Sequence, residues 1–504
     1  MFWSEATRKG CDVGDRHLGG AMSLLATCWW TLVRTLVLCL IAWPVCRLLE
    51  RAFQTLTPAR RSWLLAGLMA PFCFPELVVG YVFRDLALIH PRWAEALCAG
   101  LLLIRLIPVG TIALMIAPPA ELDATAIHTR WMLIRSGQGG HWFELVRCYW
   151  YGSIVRDLPA LALMSIVAFQ EFEMAALLQT LSWTDWFVTA QRLGLEQGEL
   201  LQQSLWPLFW QLPVMIGVLM WLRQPLQRQP GPVMLEVYDG RRDQRVAWCG
   251  VTIVFIAVLV GCLIPLGLMG WRTWEGLQLL LRQKSQQLGL AREMAAAAAV
   301  AVTAALVAWN VSGRLRALSA IVLLPGLLGS LLISLGCVAL FQTTWLRPLY
   351  DTPLPWVLSL TVWLLPRAVI LRLWLRTQQD NEAIHAAKML AAANPEGTGT
   401  DRRMHSLAIL WHLRDRSQFL AVSLLCYWAY CDLPTAYMLA PSGMASGLVR
   451  LYNFMHFGRS AALSAEALVF FGVPIACLSL LMFAKRRLSS PGRSRVVSNV
   501  NLPG

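Results

Sequence analysis

The sequence predicts an all-α polytopic membrane protein made of two repeated helical bundles, and three observations lead to this prediction. Of the 504 residues, 57% are hydrophobic and 14% are charged, whereas soluble domains are about half apolar and a quarter charged. Apolar runs of about 20 residues, long enough to cross a bilayer, recur along the whole chain. One pattern of residues also occurs in both halves, and such repeats indicate repeated structural units.

The repeat is clearest in two polar segments and in the apolar runs that follow them. The residues of the first half that recur in register are Asp123, Ala126, Ile127, His128, Met132, Leu133 and Gly140. Their counterparts in the second half are Asp380, Ala383, Ile384, His385, Met389, Leu390 and Gly397. After a small gap, residues 168–178 align with residues 429–439. We therefore expect a first unit over residues 1–225, a linker over 226–246 and a second unit over 247–504.

The apolar runs predict about five spans in the first unit and about six in the second. Those of the first unit cover residues 24–45, 63–83, 98–117, 158–181 and 205–222. Those of the second unit cover residues 247–271, 294–309, 318–341, 354–375, 419–439 and 467–483. The run 247–271 has no counterpart, so either the first unit lost its leading helix or it begins upstream of Met1. Pro75 and Pro325 occupy equivalent places, where breaks would let a helix flex.

The charge distribution predicts the orientation in the membrane. The chain carries 43 Lys and Arg against 29 Asp and Glu, a formal net charge of +14. This excess is expected in short cytoplasmic loops, so it requires no nucleic-acid partner. The rule places the linker, the C-terminal tail and both repeat loops (residues 119–156 and 376–416) in the cytoplasm, together with Arg47, Arg51, Arg60 and Arg61. We expect a multi-pass protein of the inner (plasma) membrane, surrounded by lipid, with Met1 on the outer side.

Histidine, cysteine and nucleotide-binding patterns predict no metal, no cofactor and no catalytic centre. His128 and His385 each lie without a second ligand three or four residues away, which favours solvated helix residues over metal ligands. The 13 cysteines include no CxxC pair and lie mostly in apolar runs, which favours buried small side chains over disulfides or metal ligation. No GxxxxGK[ST] loop occurs, so we do not expect this chain to bind or hydrolyse ATP itself.

Three carboxylates lie inside apolar runs: Glu171, Glu173 and Asp432. Charged groups within a membrane are expensive and by default indicate function, and the repeat aligns Glu171 with Asp432. One interpretation is that these carboxylates line a pathway between the two halves. The alternative is that they cap helix ends, or pair with Arg105 or Arg367 from a neighbouring span. The sequence leaves both interpretations open.

Each repeat loop is expected to open with a short helix. Residues 382–393 are rich in the strong helix formers Ala, Lys, Met and Leu. The run Asn-Pro-Glu-Gly at 394–397 would end this helix, because Pro and Gly are the strongest breakers. Short cytoplasmic helices at matched positions of the two halves would suit the docking of a symmetric partner. An ordinary amphipathic connector is the alternative.

The stretch 432–443 reads Asp-Leu-Pro-Thr-Ala-Tyr-Met-Leu-Ala-Pro-Ser-Gly and is followed by Leu-Val-Arg-Leu-Tyr at 448–452. It resembles the segment after the coupling loop in permeases of binding-protein-dependent ABC importers. The iron(III)-type permeases, which fuse two six-helix units in one chain, are the most similar group. In that family a Glu-Ala-Ala motif inserts into a groove of the ATP-hydrolysing subunit, and Glu382 stands at its first position. The family's glycine does not follow Glu382 at the usual distance, and the first-half loop has no acidic residue in register.

The resemblance implies a fold of the ABC importer permease type and a set of ATPase-coupling residues. In the two loops these are Ala126, Ile127, His128, Glu382, Ala383, Ile384 and His385. It also implies movement of a small solute, with iron(III) or a similar ion favoured, across the inner membrane. A cytoplasmic dimer of ATP-binding subunits would supply the energy, and an extracytoplasmic solute-binding protein would deliver the solute. The chain itself would then not be an enzyme.

Two other classes of protein stay open. An ion-gradient-driven secondary transporter would use Glu171, Glu173 and Asp432 as proton or cation sites. A polytopic membrane enzyme, such as a lipid-linked transferase, is less favoured, because no outward loop carries paired carboxylates or a Ser/His/Asp cluster.

Overall fold

The computed structural model describes residues 13–117, 132, 155–227, 240–282, 284–314, 322–378, 381–392, 409–441, 443–444, 446–457 and 460–489. Most of these residues are helical, and none of them lies in a β-strand. The predicted all-α class is therefore confirmed for the part of the chain that the structure describes.

The helices follow one another with short breaks in both halves. Those of the first half are α1 (Val13–Thr55), α2 (Pro58–Cys73), α3 (Glu76–Ile89), α4 (Pro91–Ile116), α5 (Val155–Phe169), α6 (Glu173–Leu178), α7 (Trp183–Arg192), α8 (Gln197–Gln203) and α9 (Leu205–Gln227). Those of the second half are α10 (Gly240–Val258), α11 (Ile264–Arg282), α12 (Lys284–Arg314), α13 (Ser330–Phe341), α14 (Leu354–Gln378), α15 (Asn381–Ala392), α16 (Arg416–Tyr430), α17 (Leu433–Leu439), α18 (Gly447–Phe457) and α19 (Ser460–Ser489). The π-helical turns Leu259–Leu263 and Trp411–Asp415 lead into α11 and α16.

Within the described residues, seven helices are long and apolar enough to cross a membrane, and each coincides with a predicted span. They are Leu24–Thr55, Pro91–Ile116, Gln197–Leu222, Gln244–Trp271, Gln287–Arg314, Leu354–Arg376 and Ala461–Ala484. Two bent pairs raise the number to nine if each pair is one span. The pair α2–α3 is bent by 69°, and the pair formed by α16 and α17 is bent by 53°. The chain is therefore a multi-pass membrane protein.

Four predicted spans are not continuous helices, and the described residues contain seven to nine candidate spans where about eleven were expected. Two of the four are the bent pairs, and residues 170–172 interrupt a third, the run 158–181, between α5 and α6. In the run 318–341, the described residues form α13, a helix of 12 residues that follows the 3₁₀ turn Pro325–Leu327. The backbone φ of Gly329 is +86°, a left-handed conformation that favours glycine and prevents the helix from starting earlier.

The first helix also ends later than predicted. α1 continues to Thr55, whereas the apolar run was expected to end near residue 45. Arg47 and Arg51 therefore lie on a helix rather than in the loop to which the charge pattern assigned them. The polar end of α1 remains helical because it packs against other helices, which periodicity of apolar residues does not reveal.

Contacts between Cα atoms divide the chain into two compact units. Unit 1 contains Met1–Arg272, Leu315–Trp363 and Leu433–Gly443, and unit 2 contains Thr273–Arg314, Leu364–Asp432 and Met444–Gly504. Unit 1 thus combines segments from both halves of the chain, whereas unit 2 is formed by segments of the second half. The division 1–225, 226–246 and 247–504 describes the repeat in the sequence, and as a division of the molecule it stays a prediction.

α10, the helix without a counterpart in the predicted repeat, packs inside unit 1. α10 packs against α1 and α2 at two glycines. A Cβ at Gly250 would lie 2.7 Å from Cβ of Ala52, and one at Gly67 would lie 2.9 Å from a methyl group of Val254. Small residues allow such close approach of membrane helices. Beside this contact lies a buried hydrophobic cluster of Leu49, Phe53, Leu64, Leu68, Ile107 and Val254.

Unit 2 is organised around the alanine-rich helix α12, which packs against α16 and α18. Its buried small residues include Ala297, Ala301, Ala304, Ala305 and Ala308. Nearby, the ring of Tyr430 stacks on Phe470 with centroids 4.5 Å apart, and the Tyr430 hydroxyl donates to the Phe470 carbonyl at 3.1 Å. The aromatic contact connects α16 to α19.

Candidate functional site

Glu171 lies in the break between α5 and α6, and its carboxylate caps the second helix. The carboxylate accepts hydrogen bonds from the backbone N–H groups of Met174 at 2.5 Å and Ala175 at 3.1 Å. These N–H groups belong to the first turn of α6, where no helical partner exists. A carboxylate there is also favoured by the helix dipole. The capping alternative thus describes the contacts of Glu171, while its role in a pathway stays a prediction.

Side chains of unit 1 stabilise this break through hydrogen bonds to its backbone. The indole Nε1–H of Trp183 donates to the Phe169 carbonyl at 2.6 Å, which satisfies a carbonyl at the end of α5. Gln170 donates through Nε2 to the Leu327 carbonyl and to Gln211 Oε1, both at 2.6 Å. These bonds link the α5–α6 break to the 3₁₀ turn that precedes α13. Two irregular segments from different halves of the sequence therefore support each other inside unit 1.

A second break, between α2 and α3, is held by Arg105 of α4. The guanidinium donates to the carbonyls of Phe74 at 3.1 Å and Phe72 at 3.4 Å, and it forms an ion pair with Glu76. Pro75 starts α3 without a backbone N–H, which leaves carbonyls of α2 unpaired in the helix. Arg105 thus pairs with Glu76, whereas the sequence had offered it as a partner for the pathway carboxylates.

The other two predicted pathway residues occupy similar positions. Glu173 is the first residue of α6, and Asp432 directly precedes α17. Both side chains are buried, as is that of Glu171. α6 packs on α3, and α17 packs on α13. All three carboxylates are thus buried at the start of a short helix that follows a break, but Asp432 belongs to unit 2 and the two glutamates belong to unit 1.

Arg34 of α1 is a buried charge that the sequence analysis did not single out. It is 6% exposed and donates through Nη1 to Glu95 Oε1 at 3.1 Å. Its Nε and Nη2 have no hydrogen-bond partner among the described residues. Arg34 and Glu76 both act electrostatically on Glu171. The signal was available, because Arg34 lies in the middle of the apolar run 24–45.

The second repeat loop contains the predicted docking helix. α15 covers Asn381–Ala392, close to the expected range 382–393. Ile384 is buried against Leu410, and Ala383 is partly buried. Glu382 and His385 are exposed on the same helix. α15 therefore packs through Ile384 and presents Glu382 and His385 to its surroundings, together with the exposed Lys388 and Met389.

Of the first repeat loop, residues 119–156, the structure describes Met132, Val155 and Arg156. Ala126, Ile127 and His128 lie outside the described residues. At the start of α5, Arg156 forms an ion pair with Glu50 of α1, and its Nη2 also donates to the Leu114 carbonyl of α4 at 3.4 Å. Beside it, Arg47 Nε donates to the buried carboxylate of Asp157 at 2.6 Å. These ion pairs join α1, α4 and α5 where the first loop begins and ends.

The described residues contain no group of three or more His, Cys, Asp or Glu side chains that could hold a metal ion. The chain matches no protein-family model, and comparisons with characterised proteins and with solved structures gave no match. Fold and site together thus define the chain as a helical multi-pass membrane protein with buried charges at its broken helices.

Proposed function

We propose that the chain is the membrane-spanning permease of an ABC importer. It would move a small solute, with iron(III) or a similar ion favoured, across the inner membrane. Separate ATP-binding subunits in the cytoplasm would supply the energy, and an extracytoplasmic binding protein would deliver the solute. The observation that carries this proposal is α15, a short helix between α14 and α16 that is attached through Ile384 and exposes Glu382 and His385.

The attachment of α15 gives a route from a docked partner to the membrane. Ile384 rests on Leu410, and Leu410 leads through the π-helical turn Trp411–Asp415 directly into α16. A partner that pulls α15 would therefore act on α16, and through it on the break before α17. ATP binding drives such a motion only if the ATPase binds the two states of the permease with different affinity.

The order of the helices in the two halves also supports the proposal. In the first half, the long helix α1 is followed by α2, a break and the shorter helix α3, and then by the long helix α4. In the second half, the long helix α12 is followed by a break and the shorter helix α13, and then by the long helix α14. After the loop come another helix, a break and a short helix, which is α6 or α17. α6 packs on α3 as α17 packs on α13. Transporters built from repeats place their broken helices around the substrate route.

The proposal is tested by co-purification of the full-length chain with its ATP-binding subunit from the cells that produce it. Glu382→Arg reverses the charge at the exposed start of α15, so we expect the amount of ATPase recovered to fall at least several-fold. Glu275→Arg makes the same change at an exposed glutamate of α11 and should leave recovery unchanged. Equal recovery with all three proteins would remove the docking role of α15.

An ion-gradient-driven secondary transporter is the second candidate. The observation that favours it is the burial of Glu171, Glu173 and Asp432 in apolar segments, where carboxylates can carry protons or cations. The hydrogen bonds of Glu171 to the backbone at the start of α6 support a capping role for this carboxylate. The energy source separates the two candidates.

A further inference from the structure

Three charged side chains of unit 2 meet away from the sites described above. Arg450 of α18 lies between Glu293 of α12 and Glu466 of α19. Its Nη1 is 3.0 Å from Glu293 Oε1, and its Nη2 is 3.4 Å from Glu466 Oε2. Glu466 is only 4% exposed. Both glutamates lie within helices that are apolar enough to span a membrane, Gln287–Arg314 and Ala461–Ala484.

The charges of this cluster do not balance. Two carboxylates face one guanidinium, which leaves one negative charge in excess when both are ionised. Arg450 attracts both glutamates, and the two glutamates repel each other. An uncompensated charge in an apolar region is strongly unfavourable. One additional positive charge would neutralise the cluster.

Unused acceptor atoms mark where that charge would bind. Glu293 Oε2 and Ser446 Oγ are buried without a hydrogen-bond partner among the described residues. Glu466 Oε2 makes the 3.4 Å ion-pair contact with Arg450 Nη2 but no closer hydrogen bond there, and Arg450 Nε is likewise unpartnered. Ser446 is 5% exposed, and its carbonyl accepts from the backbone N–H of Arg450 at 3.0 Å. Ser446 therefore lies one helical turn before Arg450, on the same side of α18. Buried polar atoms without partners call for an explanation, and an unseen ion is one of the few available.

The backbone at the start of α18 comes close to the same carboxylate. A Cβ at Gly447 would lie 3.5 Å from Glu293 Oε2 and 2.5 Å from the ring of Phe470. The absence of a side chain at Gly447 thus lets Ser446 and the first turn of α18 approach Glu293. Tyr430 of α16 also contacts Phe470, and its hydroxyl is already bonded to the Phe470 carbonyl.

We infer that Glu293, Glu466 and Ser446 form a binding site for one monovalent cation, either a proton or Na⁺. Carboxylate and hydroxyl oxygens are the ligands that hard cations prefer. A single positive charge neutralises the two carboxylates and Arg450, whereas a divalent ion would leave an excess of positive charge. A proton on one carboxyl group would serve the same purpose, because the O–H could donate to a neighbouring oxygen. The site does not depend on an ATPase partner.

Thermal unfolding of the purified full-length protein in detergent tests the sodium form. At constant pH and ionic strength, replacing choline chloride by NaCl should raise the Tm of the wild type in a saturable manner, because a ligand that binds only the folded state stabilises it. Glu466→Gln should abolish this rise. Ser446→Ala keeps all three charges and should weaken the sodium dependence several-fold. Glu275→Gln, at an exposed position, should respond as the wild type does.

Infrared spectroscopy tests the proton form on the same samples. Without sodium at neutral pH, the wild type should show the carbonyl stretching band of a protonated carboxylic acid, and Glu466→Gln or Glu293→Gln should remove it. A wild type with neither a sodium-dependent Tm nor such a band would overturn the inference and leave the cluster as a structural ion pair. If the Gln variants do not fold, the comparison of the wild type with Ser446→Ala tests the site. A sodium-dependent Tm or a carboxylic acid band that is the same in both proteins would also contradict the site.

Discussion

Arg105 is the single residue on which the bend between α2 and α3 depends most directly. It supplies donors to carbonyls that lost their helical partners at Pro75, and it neutralises Glu76 at the start of the next helix. One side chain thus satisfies the end of one helix and the beginning of another. A planar guanidinium with five N–H donors can do this, whereas the ammonium group of lysine is a compact point charge.

Arg105→Ala should therefore destabilise the protein by about 3 kcal/mol or more, because it leaves Glu76 and two carbonyls without their partner. Arg105→Lys should restore only part of the loss. The measurement is the Tm of the purified protein in detergent. Arg282→Ala removes an exposed arginine from α11 and serves as the control. An unfolding temperature for Arg105→Ala equal to that of the control would show that the bend does not need Arg105.

The sequence revealed the charged residues of the candidate site better than it revealed their partners. Glu171, Glu173 and Asp432 were visible because charges in apolar runs are rare. Arg34 gave the same signal, and its pairing with Glu95 is a contact between distant parts of the chain. The pairing of Arg105 with Glu76 follows from the bend at Pro75, whose direction no local pattern specifies. Partner choice depends on how helices cross, which a single sequence does not contain.

The broken helices are the elements that distinguish this fold from a bundle of continuous spans. Each break leaves backbone groups that water cannot satisfy inside a membrane. The structure satisfies them with side chains: Glu171 and Trp183 between α5 and α6, and Arg105 between α2 and α3. Hydropathy alone merges such segments into one span, since it is insensitive to a few irregular residues. This is why the runs 158–181 and 318–341 were predicted as single helices.

Substitution of Gly329 tests the importance of the irregular segment before α13. An alanine there would be strained by about 1–2 kcal/mol at a φ of +86°. Its Cβ would also lie 2.8 Å from the side chain of Gln170, which already makes two hydrogen bonds. We expect Gly329→Ala to lower the Tm.

Gly336→Ala provides the matched control on the same helix. A Cβ at Gly336 would have no neighbour within 4 Å, and alanine is favoured over glycine inside a helix by about 0.5–1 kcal/mol. The control should therefore be as stable as the wild type or more stable. Similar shifts in the two variants would contradict a special role of the conformation at Gly329.

At the scale of the whole molecule, the two compact units do not correspond to the two halves of the sequence. α10, α13 and α17 come from the second half and belong to unit 1. Cutting the chain in the linker 226–246 would therefore separate unit 1 from segments that complete it, whereas all segments of unit 2 would stay in one piece. The pattern that predicts a repeat is visible in the sequence because its residues keep their spacing, but the assignment of second-half segments to unit 1 depends on tertiary packing.

The source of energy is the property of the whole molecule that separates the two candidate functions. For the permease, uptake of labelled iron(III) into proteoliposomes should require both ATP and the separate ATPase. The chain alone should show no uptake when a proton or sodium gradient is imposed, and protein-free liposomes give the background. Gradient-driven uptake by the chain alone, abolished by Glu171→Gln, would instead establish a secondary transporter.

The length of α1 has a mechanical consequence. Its apolar part, Leu24–Thr55, has 32 residues, which corresponds to about 48 Å of helix against a hydrocarbon core of about 30 Å. If it stood upright, roughly a third of its length would extend beyond the core, and Arg47 and Glu50 lie near its C-terminal end. A force applied to the first loop would then act on a continuous helix anchored in the bilayer rather than on a flexible segment.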